Sequence, residues 1–89
     1  MANFTVILRR NAVMTLDRLP IGQNAVIKAV GGVGNLRLRL LDMGLIPCTS
    51  VKVQKIAPLG DPIQILIRGY DLTLRKEDAS MIDVEKEVR

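Results

Sequence analysis

Eighty-nine residues allow a single domain, because a core of this size buries only about 60–65% of the surface its unfolded chain exposes. Hydrophobic residues make up 48% and charged residues 25%, a balance that builds a core; with Phe4 and Tyr70 as the only aromatics that core is aliphatic, and the stacking side chains of single-strand nucleic-acid binders are missing. Thirteen Lys and Arg against nine Asp and Glu leave a net +4, one cysteine excludes an internal disulfide, and the absence of histidine excludes Cys/His zinc sites and Ser–His or Cys–His nucleophile pairs.

Residues 1–14 read as a separate piece. Phe4, Val6 and Leu8 alternate with Thr5, Ile7 and Arg9 as in a half-buried strand, and Arg9-Arg10-Asn11 breaks the pattern, so the segment is an added edge strand or a frayed arm. Its apolar run is too short for a signal peptide and its arginines lie on the wrong side of it. No later stretch approaches the ~20 apolar residues of a membrane span, so a soluble cytoplasmic protein is expected.

From Thr15 the signals sharpen. Thr15 is expected to cap one turn through Leu16–Leu19, which Pro20 stops and Gly22 redirects. Ala25–Val30 is the first main strand; Ala25 and Ile27 point inward, and Val30 falls out of phase, predicting a bulge or the strand's end. Gly31-Gly32-Val33-Gly34 is a flexible turn. The next segment is ambiguous, since Leu36-Arg37-Leu38-Arg39-Leu40 also alternates like a strand. A helix over 35–43 is predicted because Asn35 is a good N-cap, Gly44 stands at the C′ position, and Leu36, Leu40 and Met43 share a face. Leu38 and Leu41 then form a second stripe that either wraps into the core or is exposed beside Arg37 and Arg39.

A strand over Val51–Ile56 and one over Ile63–Arg68 flank the turn Ala57-Pro58-Leu59-Gly60-Asp61-Pro62. Gly69-Tyr70 is predicted as a two-residue hairpin turn leading to a strand with Leu72 and Leu74 inward. Lys76–Ser80 form at most a helical turn, Ile82 and Val84 a last short strand, and Glu85–Arg89 a charged tail. Short strands, tight turns and one helix imply a mainly β fold, a small antiparallel barrel, with residues 1–14 as arm, 15–84 as domain and 85–89 as tail.

Chemistry is sparse. Gly31–Gly34 before a helix lacks the order and the following Lys-Ser or Lys-Thr of a phosphate cradle, and reads as a turn. Glu77, Asp78, Asp83 and Glu85 offer oxygen donors and Cys48 a thiolate, but at no spacing that matches a metal loop. Cys48 reads as a small buried hydrophobe. No acid–base pair suggests catalysis, and no catalytic, cofactor-binding or metal-ligating residue is assigned. The basic residues are spaced along the chain, nine against seven acids between Thr15 and Val84, predicting a mild surface that binds no nucleic acid. The candidate contact surface is Arg37, Leu38, Arg39 and Leu41, apolar side chains ringed by arginine.

Leu16-Asp17-Arg18-Leu19-Pro20-Ile21-Gly22, then Leu40-Leu41-Asp42-Met43-Gly44-Leu45-Ile46-Pro47 and Ala57-Pro58-Leu59-Gly60-Asp61-Pro62, with Leu74-Arg75, Ala79, Ile82 and Val84, make the chain resemble FeoA-type proteins over Leu16–Val84. The resemblance implies an SH3-like barrel with a helix after the first main strand and a non-enzymatic cytoplasmic role in bacterial ferrous-iron uptake. It also implies a partner, the FeoB transporter, met at its cytoplasmic GTP-binding domain or another cytoplasmic segment, with no direct insertion into the membrane. A second copy joined through the N-terminal arm is the other partner considered. A related domain ends the iron-dependent repressors of the DtxR type, which implies as the alternative a small metal-binding or metal-sensing domain; no cofactor is expected beyond a weak divalent transition metal. The family pattern usually has glycine after the proline, where this chain has Cys48; a positive φ there would cost about 1 kcal/mol.

Overall fold

The computed structural model of the chain describes residues 13–87. Six antiparallel strands form one sheet: β1 (Val13–Thr15), β2 (Asn24–Val30), β3 (Ser50–Ile56), β4 (Ile63–Ile67), β5 (Tyr70–Leu74) and β6 (Ile82–Lys86), hydrogen-bonded in the order β1-β6-β2-β3-β4-β5. A 3₁₀ turn (Leu16–Arg18) follows β1, helix α1 (Gly34–Asp42) lies between β2 and β3, and a single turn of helix, α2 (Lys76–Ala79), joins β5 to β6. The predicted arm falls almost wholly outside the described residues, but Val13 and Met14 lie in β1, opposite Glu85 and Val84. Likewise Glu85 and Lys86, assigned to the tail, are in β6.

The strands are set by alternation. Val51 and Val53 of β3, Ile63, Ile65 and Ile67 of β4, Leu74 of β5, and Ile82 and Val84 of β6 are all buried, and with Leu16, Leu19, Leu40, Leu45 and Ala79 they make one apolar core. Period-two burial alone would turn Val30 outward. The β2–β6 ladder shifts between Ile27 and Ala29, so Lys28 is a bulged extra residue; it reverses the phase and brings Val30 back inside. The same device recurs in β3, where the shift between Val53 and Lys55 puts Lys55 opposite outward Gln64 and Ile56 opposite buried Ile63. Beside this second bulge the Gly22 amide donates to the Val53 carbonyl at 2.8 Å, tying the loop after the 3₁₀ turn to β3. Thr15 sits at the start of that turn without a side-chain cap, contrary to the expected role.

The β4–β5 turn is one residue earlier than predicted. Ile67 pairs with Tyr70, so the two central residues are Arg68 and Gly69, at φ +52° and +85°. Two successive positive φ values give the primed turn whose twist suits a hairpin. Glycine therefore serves the second central position, and Arg68 takes the left-handed conformation at the first.

Candidate interaction surface

The geometry of α1 decides which of Arg37, Leu38, Arg39 and Leu41 stand at the surface. Leu40 is the helix's one fully buried side chain, and Leu36, Leu41 and Met43 pack partly against the core. Leu38 is 58% exposed, so the stripe of two leucines divides: Leu41 leans into the core and Leu38 stands out. Neither arginine is unengaged. Arg37 Nε donates to the Val30 carbonyl at 3.2 Å, closing over the end of β2, and Arg39 reaches Asp78 of α2 at 3.4 Å. The Arg39–Asp78 pair is largely exposed on the arginine side and contributes at most about 1 kcal/mol, but it fixes where the guanidinium lies.

The helix begins differently from its prediction. Its N-cap position is Val33, with no side-chain cap, and Asn35 falls inside the first turn. Its end is as predicted. The Leu45 amide donates to the Leu40 carbonyl and the Gly44 amide to the Leu41 carbonyl, at 3.2 and 3.0 Å, with Gly44 at φ +101°: a Schellman ending with Leu45 and Leu40 both buried beneath it. Tyr70, at the start of β5, donates its hydroxyl to the Met43 carbonyl at 2.9 Å. The tyrosine thereby joins the β4–β5 hairpin to the helix end, a contact across 27 residues that no local pattern announces.

Cys48 follows at φ +73° and is exposed, not buried as its residue type suggested. That conformation lets its amide donate to the Ile27 carbonyl at 2.7 Å while the Ile27 amide donates to Thr49 at 2.9 Å, so the loop pairs with β2 just before the Lys28 bulge. A non-glycine residue held there costs about 1–2 kcal/mol, and the exposed thiol offers no burial in return. Cys48→Gly is expected to raise stability by about 1 kcal/mol, allowing for glycine's extra chain entropy, and a thermal melt should rise by about 4–8 °C. An unchanged or lower midpoint would refute the strain at Cys48.

Asp61 has an equally structural task. Its Oδ1 accepts the Lys76 amide at 2.9 Å, so the end of the Ala57–Pro62 turn supplies the first turn of α2 with the acceptor its own N-cap, Arg75, lacks. The carboxylates considered as metal donors are dispersed: Asp78 pairs with Arg39, Glu85 with Lys28 at 3.2 Å, and Glu77 and Asp83 are exposed. Among the described residues no three Cys, Asp or Glu side chains come together.

A family model described as "FeoA domain" matches residues 14–86. The chain belongs to that family. A fusion protein of Porphyromonas gingivalis (strain ATCC BAA-308 / W83), named Fe(2+) transport protein A/Fe(2+) transporter FeoB, is 43% identical over 72 residues. The match takes in 81% of this chain and spans only 8% of the relative's length. Among solved structures, the FeoA-like protein of Clostridium acetobutylicum superposes with a TM-score of 0.79 at 31% identity, covering 86% of this chain and 90% of that one. FeoA of Stenotrophomonas maltophilia, solved with zinc and described as an SH3 domain protein, gives 0.71 at 25%, covering 80% and 88%. A manganese-dependent transcriptional repressor shares the fold alone, with a TM-score of 0.78 at 14% identity over 89% of this chain and 39% of that one. The SH3-like architecture expected from the FeoA motifs is thus the observed one, and the family is associated with ferrous-iron transport.

Proposed function

We propose that this FeoA-family chain is a non-enzymatic accessory of ferrous-iron transport that docks on a cytoplasmic part of a FeoB-type transporter. The observation that carries the reading is the Porphyromonas gingivalis relative, in which a region 43% identical to this chain is named as one polypeptide with FeoB. Fusion holds two units at high effective concentration, which is useful where they work in contact. Among the described residues no helix is long and apolar enough to cross a membrane.

On that surface Leu38 is the contact we assign to the partner. It projects between two arginines whose positions are set by Val30 and Asp78, and an exposed leucine framed by fixed guanidinium groups suits a partner pocket with an acidic rim. Leu41 beneath it keeps the helix seated, so its substitution mixes folding with binding.

The test is calorimetric titration of the protein against the soluble GTP-binding domain of its cognate transporter in nucleotide-free, GDP and GTP-analogue forms. Saturable binding is expected, and Leu38→Glu should weaken it by roughly tenfold or more while leaving the thermal midpoint within a few degrees, as suits an exposed site. Saturable binding that L38E leaves unchanged would remove the helix surface from the proposal; no binding in any nucleotide state would remove the GTP-binding domain as the partner segment.

A further inference from the structure

Strand β5 stands last in the sheet order. Ile67 and Tyr70 flank a two-residue turn and exchange main-chain hydrogen bonds, so bonded pairs recur at Ile65–Leu72 and Ile63–Leu74. The amides and carbonyls of Asp71 and Thr73 therefore point away from β4. The Arg75 amide continues the row, since Arg75 is still extended at φ −71° and ψ 148°. No main-chain hydrogen bond among the described residues reaches these groups. Asp71, Thr73 and Arg75 are exposed, and Leu72 is only half-buried although it packs on the core.

Edges that must stay unpaired carry a proline, a lysine or a bulge, or are very short. The opposite edge, β1, has only three residues, and β2 and β3 each contain a bulge. β5 has none of these devices: all five of its residues, Tyr70-Asp71-Leu72-Thr73-Leu74, pair with β4 without a shift. Its one charge is Asp71, and Arg75, of opposite sign, lies four residues on at the same side of the strand. An edge with opposite charges placed symmetrically about Thr73 complements a second copy of itself laid antiparallel to it.

We propose that two copies of this chain associate through their β5 edges, antiparallel about a two-fold axis at Thr73. Thr73 then exchanges both of its main-chain bonds with its counterpart, and the Arg75 amide of each copy donates to the Asp71 carbonyl of the other. The Arg75 carbonyl takes no part, because it already accepts the Ala79 amide at 3.0 Å. Asp71 of each copy faces Arg75 of the other, so two ion pairs flank the axis, and half-buried Leu72 gains cover from the strand that carries the other copy's Leu74. Charge selects this register from its neighbours. An axis at Asp71 sets two carboxylates against each other, and an axis at Leu72 makes as many main-chain bonds but faces each Asp71 with a threonine.

Sedimentation equilibrium of the full chain from micromolar to millimolar concentration tests this. The average mass is expected to climb from that of the monomer towards twice that value. Asp71→Arg and Arg75→Asp each set like charges together and should each weaken association by roughly tenfold or more, while the double variant recovers most of the loss, which a general loss of stability would not do. Thr73→Cys in a Cys48→Ser background should oxidise readily to a linked pair, because opposite residues of a bonded pair have Cα atoms about 5.5 Å apart, and Leu72→Cys in the same background should do so far less. A monomer mass at millimolar concentration would overturn the proposal. So would association that both charge reversals leave unchanged, or cross-linking that favours Leu72→Cys over Thr73→Cys.

Discussion

Leu40→Ala is expected to destabilise the domain by about 3–5 kcal/mol, whereas Leu38→Ala, two residues away, should change stability by less than about 0.5 kcal/mol. Both are leucines in one helix, so propensity and composition cannot separate them. Burial does: Leu40 is fully enclosed and Leu38 is 58% exposed. The helix has no side-chain N-cap and no other completely buried residue, leaving Leu36, Leu41 and Met43 to share the rest of its contact. Truncating Leu40 removes about three methylene equivalents from the core and leaves a cavity between the helix and the sheet, while the main-chain bond from the Leu45 amide to the residue-40 carbonyl is retained. Against a total stability of about 5–10 kcal/mol for a domain this small, much of the margin is gone. Urea unfolding should show a sharply lower midpoint for L40A with a similar slope, and a near-native midpoint for L38A. A cost below about 1 kcal/mol for L40A would mean that the helix is not seated as described.

Much of this architecture is legible in the residues. Alternation over Ile63–Ile67 and Ile82–Val84 marks strands because each has one face in the core, and the phase slip at Val30 signals a bulge or the strand's end, of which the β2–β6 register shows the bulge. The helix end is legible for the same local reason: Gly44 at C′ is demanded by a left-handed turn. What was not legible is set across the chain. Asn35 carries the chemistry of a cap, yet the backbone enters the helix from extended Val33, and the cap position falls two residues earlier. Gly69 looked like the first turn residue because glycine tolerates positive φ most readily; the register of five paired residues places Arg68 there instead. Tyr70 bonding Met43, Asp61 bonding Lys76 and Arg39 bonding Asp78 join positions 15 to 39 residues apart, which no spacing rule reaches.

The two motifs that most resemble the family therefore prove to be architectural. Leu40–Pro47 ends a helix and turns the chain back to β2, and Ala57–Pro62 closes a hairpin and caps α2. Both motifs also carry exposed apolar side chains, Ile46 and Leu59, while Leu38 is the exposed large hydrophobic residue of α1.

Gly44→Ala is expected to cost about 2–4 kcal/mol, and the cost divides in a way that exposes its causes. At φ +101° a Cβ brings backbone strain of roughly 1–2 kcal/mol wherever it stands. Here it would also lie 2.6 Å from the Tyr70 hydroxyl oxygen, too close for any side chain, so the ring must swing away and give up its bond to the Met43 carbonyl. That bond is worth about 1 kcal/mol, which is the expected loss for Tyr70→Phe alone. In the Y70F background the clash disappears, because the next nearest ring atom, Tyr70 Cζ, is 3.9 Å from the added Cβ, an ordinary contact. Gly44→Ala should then cost only the backbone strain, leaving a coupling of about 1–2 kcal/mol between the two sites, measurable by a double-mutant cycle in urea. Additive costs would show that the tyrosine does not clamp the helix end; a coupling of this size would show that one glycine serves two demands, the left-handed turn and the close approach of a phenol from 27 residues away.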